Sequence, residues 1–163
     1  MKKLTLLLCV ILVVLLGLTM FFYVGGTLSA RPGVHSASAA DYPEAYQSIR
    51  GVLRSGAAPQ VFADPDLPED PDSYALVDVT IELYNRGLFP AEWLDVAASP
   101  APGDVAVYSL SGGASDIDAR GSGQVNLKLI TTASADAARS FEIQYYVYGM
   151  KRSVTVKTGG SAQ

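Results

Sequence analysis

The chain has 163 residues, room for one domain of ordinary size and little more. From Asp41 onward it carries all 16 acidic residues against 9 basic ones, a net −7 that excludes charge-driven binding to nucleic acid or anionic headgroups there. One cysteine, Cys9, and one histidine, His35, exclude a disulfide framework and a Cys/His zinc site.

The first element is apolar. Residues 4–24, LTLLLCVILVVLLGLTMFFYV, run for 21 residues without a charge. As a helix they extend about 30 Å, the thickness of a bilayer's hydrocarbon core. Lys2 and Lys3 precede the run, and Arg31 follows at a distance. The positive-inside rule puts the N-terminus in the cytoplasm and the rest outside the membrane. A cleaved signal peptide is the rival, with small-residue sites at Val24-Gly25-Gly26 and Ala37-Ser38-Ala39. The run exceeds the usual signal-peptide length, so residues 1–25 are read as a retained transmembrane signal-anchor of a cell membrane. Cys9 lies within this run and reads as a small apolar residue, not a lipid-attachment site.

Residues 26–40 are small and polar and predict a flexible spacer. His35 falls in it, without the fixed partners a general base needs. DYPEAYQSIRGVLRSG, residues 41–56, predicts a short amphipathic helix. Asp41 with Glu44 suggests a capping box, and Gly56 a stop. Tyr42, Ala45, Tyr46, Ile49, Val52 and Leu53 make its apolar face, expected to pack on the following domain. Residues 63–73, ADPDLPEDPDS, set five acids among three prolines. The spacing does not fit an EF-hand loop, and a solvated loop is expected. Helix and acidic loop together form a segment, 41–73.

From Tyr74 the period becomes two. In residues 75–85 Val77, Val79, Ile81 and Leu83 point inward, and Asp78, Thr80, Glu82 and Tyr84 outward. Asn85-Arg86-Gly87 is a turn. Further strands are predicted at 91–99, at 105–110 after a turn at 100–104, at 123–132 and at 141–148, with a last one at 151–157. A loop is expected at 111–116. Phe141, Ile143, Tyr145 and Val147 point inward, which leaves Glu142, Gln144, Tyr146 and Tyr148 outward. Six short alternating strands without intervening helices predict an all-β antiparallel sandwich over 74–158, with a tail at 159–163.

The strand-and-turn DVTIELYNRG, the strand centre LKL and the closing FEIQYYVYG/SVTV hairpin resemble bacterial immunoglobulin-like or fibronectin-type-III-like sandwiches. The resemblance covers residues 74–158 and lacks the immunoglobulin cysteine pair. It implies an extracytoplasmic binding or spacing module.

No residues form a recognisable catalytic, cofactor-binding or metal-binding set. Asp116 and Asp118 are the one carboxylate pair, and beside Gly112, Gly113 and Gly121 they read as turn residues. Tyr84, Tyr146 and Tyr148 are the candidate partner-binding residues, since outward aromatics form protein-binding patches and stack on sugars. Structural cross-strand packing is the competing reading. Trp93, the single tryptophan, shares strand parity with Ala91 and Asp95, which leaves an outer-face position open. The expected function is a non-enzymatic adaptor or accessory protein that binds another envelope protein. A glycan- or cell-wall-binding module is the alternative, and a carboxylate-dependent hydrolase a lesser one.

Overall fold

The computed structural model describes residues 2–24, 27–112, 116–134 and 136–160. Gly25-Gly26 of the rival signal-peptide reading, Gly113 and the end of the tail, 161–163, lie outside the described residues. Helix α1, Lys2–Val24, is followed by strand β1, Leu28–Ser38. A single 3-10 turn, Ala39–Asp41, leads into helix α2, Pro43–Arg54. Eight strands complete the chain: β2 (Gln60–Val61), β3 (Ala75–Asn85), β4 (Ala91–Ser99), β5 (Asp104–Ser111), β6 (Asp116–Ile117), β7 (Ser122–Thr131), β8 (Arg139–Val147) and β9 (Met150–Thr158).

They form two antiparallel sheets, β1-β3-β7-β5-β2 and β6-β4-β8-β9, packed as an all-β sandwich. The alternation in β3 and β8 delivers the core as expected. Val77, Val79, Ile81 and Leu83 meet Phe141, Ile143, Tyr145 and Val147 across the two sheets, all at most 2% exposed. Period-two patterning works here because each strand has one face on the core and one outside.

The spacer expected at 26–40 is instead mostly strand. β1 pairs with β3 in unbroken register from Leu28↔Asn85 to Ser38↔Ala75. Its small polar side chains are mostly exposed, so they carry little apolar periodicity. The ladder is formed by backbone groups that composition does not report. His35 lies on this strand, exposed and opposite Asp78.

Helix α2 forms where expected but is capped differently. Tyr42 occupies the N-cap without a side-chain bond, and Pro43 opens the helix, where its missing N–H costs nothing. Tyr46, Ile49 and Leu53 bury against Val105, Ala106 and Ile130 on the outer face of the five-stranded sheet. Tyr42 and Ala45, expected on the apolar face, are exposed. The acidic loop is fastened to α2 rather than free. Leu67 is buried, the Arg50 Nε donates to its carbonyl at 3.2 Å, and the Tyr46 hydroxyl donates to the Pro68 carbonyl at 3.0 Å.

On the same outer face, burial pushes the Tyr108 hydroxyl up to about 12, with the nearby Asp78 carboxylate adding to the effect. An unfolded chain therefore releases this proton first, between its ordinary value near 10 and about 12, so stability is lost as pH rises through that window. Urea midpoints measured across it should fall less steeply in Tyr108→Phe than in the natural chain.

Candidate functional site

The sandwich has a base, where α1 hands over to β1, and a far end, where β1 meets α2. Three loops converge on the base, and a buried asparagine joins two of them. The Asn85 Nδ2 donates to the carbonyls of Phe89 (2.8 Å), Ile117 (3.2 Å) and Asp118 (3.1 Å), and its Oδ1 accepts from Gly87 N–H at 2.9 Å. The Asn-X-Gly turn legible in the sequence is thus a staple for the whole base. Tyr145 contributes from the core, where its hydroxyl accepts from Leu28 N–H at 3.1 Å. The first residue of β1 is thereby tied to the opposite sheet.

The three predicted tyrosines do not make one patch. Tyr84 stands on the outer face of the five-stranded sheet, 44% exposed. Tyr146 belongs to the four-stranded sheet and is half-buried, with Trp93 edge-on at 5.8 Å. Tyr148 sits at the β8–β9 turn against Phe89, ring centroids 4.0 Å apart. Strand parity assigns an outward face to each, but it cannot say that β3 and β8 lie in different sheets.

Two surfaces result. The first is a depression of about 610 Å3 lined by Ser29, Arg31, Glu82, Tyr84, Arg86 and Gln124 among others. It occupies the half of the five-stranded sheet that α2 leaves uncovered. The second is an aromatic rim around the base: Leu88 (43% exposed), Trp93 (73%), Tyr148 (52%) and Met150 (44%). Leu88 and Met150 are isolated apolar residues at turns, and the sequence pattern alone does not single them out.

The rim is built on strained backbone. Trp93 and Tyr148 have φ of 53° and 54°, and Arg120, also at the base, 58°. Such a conformation costs a bulky residue about 1–3 kcal/mol. At Trp93 the cause is a β-bulge between Glu92 and Asp95, which breaks the parity with Ala91 and turns the indole outward. The Asp116 Oδ1 accepts from Trp93 N–H at 3.1 Å and holds that bulge. At Tyr148 the cause is a two-residue turn with Gly149, φ 68°, a geometry that favours Asn-Gly.

Asp116 and Asp118 are thus placed in loop architecture. The first holds the Trp93 bulge, and the second supplies its backbone carbonyl to Asn85 and to Gly121 N–H. Among the described residues no three His, Cys, Asp or Glu side chains are grouped to hold a metal ion. Asp104 and Arg139, the buried charged pair, bind each other at 2.7 Å inside the far end.

The sequence matches no protein-family model and no curated protein. Solved structures similar to it include the GAE domain of yeast GGA1. That likeness has a TM-score of 0.41 and 11% identity over 51% of this chain and 77% of the other. The GAE domain of GGA2p from Saccharomyces cerevisiae has a TM-score of 0.37 and 12% identity, over 65% and 98%.

Proposed function

We propose that this chain is a single-pass membrane protein whose sandwich is a non-enzymatic module that binds a second protein of the same cell envelope. Helix α1 is long and apolar enough to cross a bilayer, and none of its candidate span is buried by the rest of the chain. Its 21 uncharged residues exceed the usual signal-peptide length, which favours a retained anchor over a cleaved leader, and Phe21, in its last turns, packs edge-on against Phe89 of the sandwich at 6.5 Å. Lys2 and Lys3 orient the N-terminus to the cytoplasm and the sandwich to the outside.

The observation that carries the binding role is the uncovered half-face around Tyr84. An exposed aromatic ring is flanked there by Arg31, Glu82, Arg86 and Gln124, so apolar contact and hydrogen-bonding groups of both kinds lie together. The same combination suits a sugar ring, which supports glycan or cell-wall binding as the second reading.

Full-length chain in detergent, with its Tyr84→Ala variant as control, tests both. The expected result is an envelope protein enriched on the natural chain and reduced roughly tenfold on the variant, the cost of losing an aromatic anchor of about 1–2 kcal/mol. Equal capture by both chains overturns this site. Tyr84-dependent retention on purified cell-wall glycan, without protein enrichment, selects the second reading.

A further inference from the structure

The base of the sandwich has a second feature, separate from the Tyr84 depression. We propose that the aromatic rim at the base is seated in the lipid–water interface of the bilayer that α1 spans, with Trp93 and Tyr148 at headgroup level. This rests on the reading of α1 as a membrane anchor.

Geometry supplies the first reason. Residues 25–27 alone separate Val24 from Leu28, where β1 begins. Four Cα steps span at most about 14 Å, so the base cannot stand off from the end of the helix by more than a headgroup layer. The second reason is contact. Phe21 lies inside the apolar run, and it touches Phe89, which in turn packs on Tyr148. A side chain that meets Phe21 is held at the depth of the bilayer surface when α1 is inserted. An apolar path therefore continues from the helix into the rim without a break.

The third reason is chemistry. Tryptophan and tyrosine, apolar in body and polar at one end, are the residues that membrane proteins place at this level. Here the left-handed turn at Tyr148 and the bulge at Trp93 present both rings at the base. The fourth is charge. Arg86, Arg120 and Lys151 at the base are balanced by Glu92, Asp116 and Asp118. The acids of the 63–73 loop, of which Asp66 pairs with Arg54, are at the far end, fastened to α2. Seating should thus depend on the apolar interface rather than on anionic lipid.

Trp93 is the single tryptophan, so its fluorescence reports this one position. The full chain is reconstituted into phosphatidylcholine vesicles, with or without lipid brominated high on the acyl chain. Insertion of α1 is scored separately by carbonate-resistant flotation. The expected result is flotation, a blue-shifted emission, and a roughly twofold loss of intensity with the brominated lipid, as befits an indole in the interfacial belt. Adding anionic lipid should leave that loss unchanged.

The Tyr148→Asn variant removes one ring while giving the turn a residue it favours. It should fold at least as well and show weaker quenching at Trp93. Flotation with an unquenched, water-like Trp93 overturns the seating and leaves the anchor standing. A blue shift without quenching means that protein, such as a second copy, covers the rim, and also overturns it. Failure to float overturns the anchor itself, and the seating with it.

Discussion

A chain beginning at Asp41 will not fold. Such a chain keeps every strand that alternation predicts, yet it lacks β1, which pairs with β3 over eleven positions. At about 0.5–1.5 kcal/mol net for each of roughly ten ladder hydrogen bonds, the loss matches the entire stability of a typical domain, about 5–15 kcal/mol. The cut also removes Leu28 and Ala39, both buried, and turns the interior strand β3 into an open edge. A chain beginning at Thr27 should unfold cooperatively in urea by circular dichroism. One beginning at Asp41 should show no transition and should bind hydrophobic dye. A cooperative transition in the shorter chain would mean that β1 is dispensable.

The second large effect is expected at the far end of the sandwich. The Arg139 Nε and Nη2 donate to the Asp104 carboxylate at 2.7–3.1 Å, and the Asp104 Oδ2 also accepts from Ala101 N–H at 2.7 Å. Both side chains are at most 1% exposed. Asp104→Ala leaves the guanidinium buried without its counter-charge, at a cost of about 3–5 kcal/mol. For a domain of this size that lowers Tm by roughly 10–20 °C. Replacing both partners, Asp104→Leu with Arg139→Met, should recover most of the loss, because no uncompensated charge remains. Calorimetry on the single and double variants decides it. A single variant within about 1 kcal/mol of the natural chain would mean that the pair is not buried as described.

Neither the β1 ladder nor the Asp104–Arg139 pair is written in a local pattern, in contrast to most of the strands. The six strands from β3 to β9, apart from the short β6, were legible because their residues alternate, and alternation records one buried face. Strand β1 was not. Both sides of its ribbon are largely solvent-facing, and Leu28 is its only buried residue. What holds it is the hydrogen-bonding capacity of β3, a property of another segment. The two-residue strands β2 and β6 are too short to show any period.

The candidate surfaces divide in the same way. That Tyr84, Tyr146 and Tyr148 point away from the core follows from parity. That Tyr84 stands alone beside a polar depression, while Tyr146 and Tyr148 join the base aromatics, depends on which sheet each strand entered. Trp93 faces outward because a bulge, held by Asp116 from 23 residues away, interrupts the parity of β4.

By itself the sequence determined the apolar N-terminal helix, the amphipathic face of α2, the alternating strands and hence the sandwich. Each is a local pattern, set by what neighbouring side chains must bury. Tertiary structure alone decided the pairing of β1, the partnership of Asp104 with Arg139 across 35 residues, and the meetings of Phe21, Phe89 and Tyr148 and of Trp93 with Tyr146 at the base. These are long-range meetings between groups whose local surroundings carry no trace of the partner. A backbone ladder, a buried charge and a rim of rings become readable only when the chain has brought both halves together.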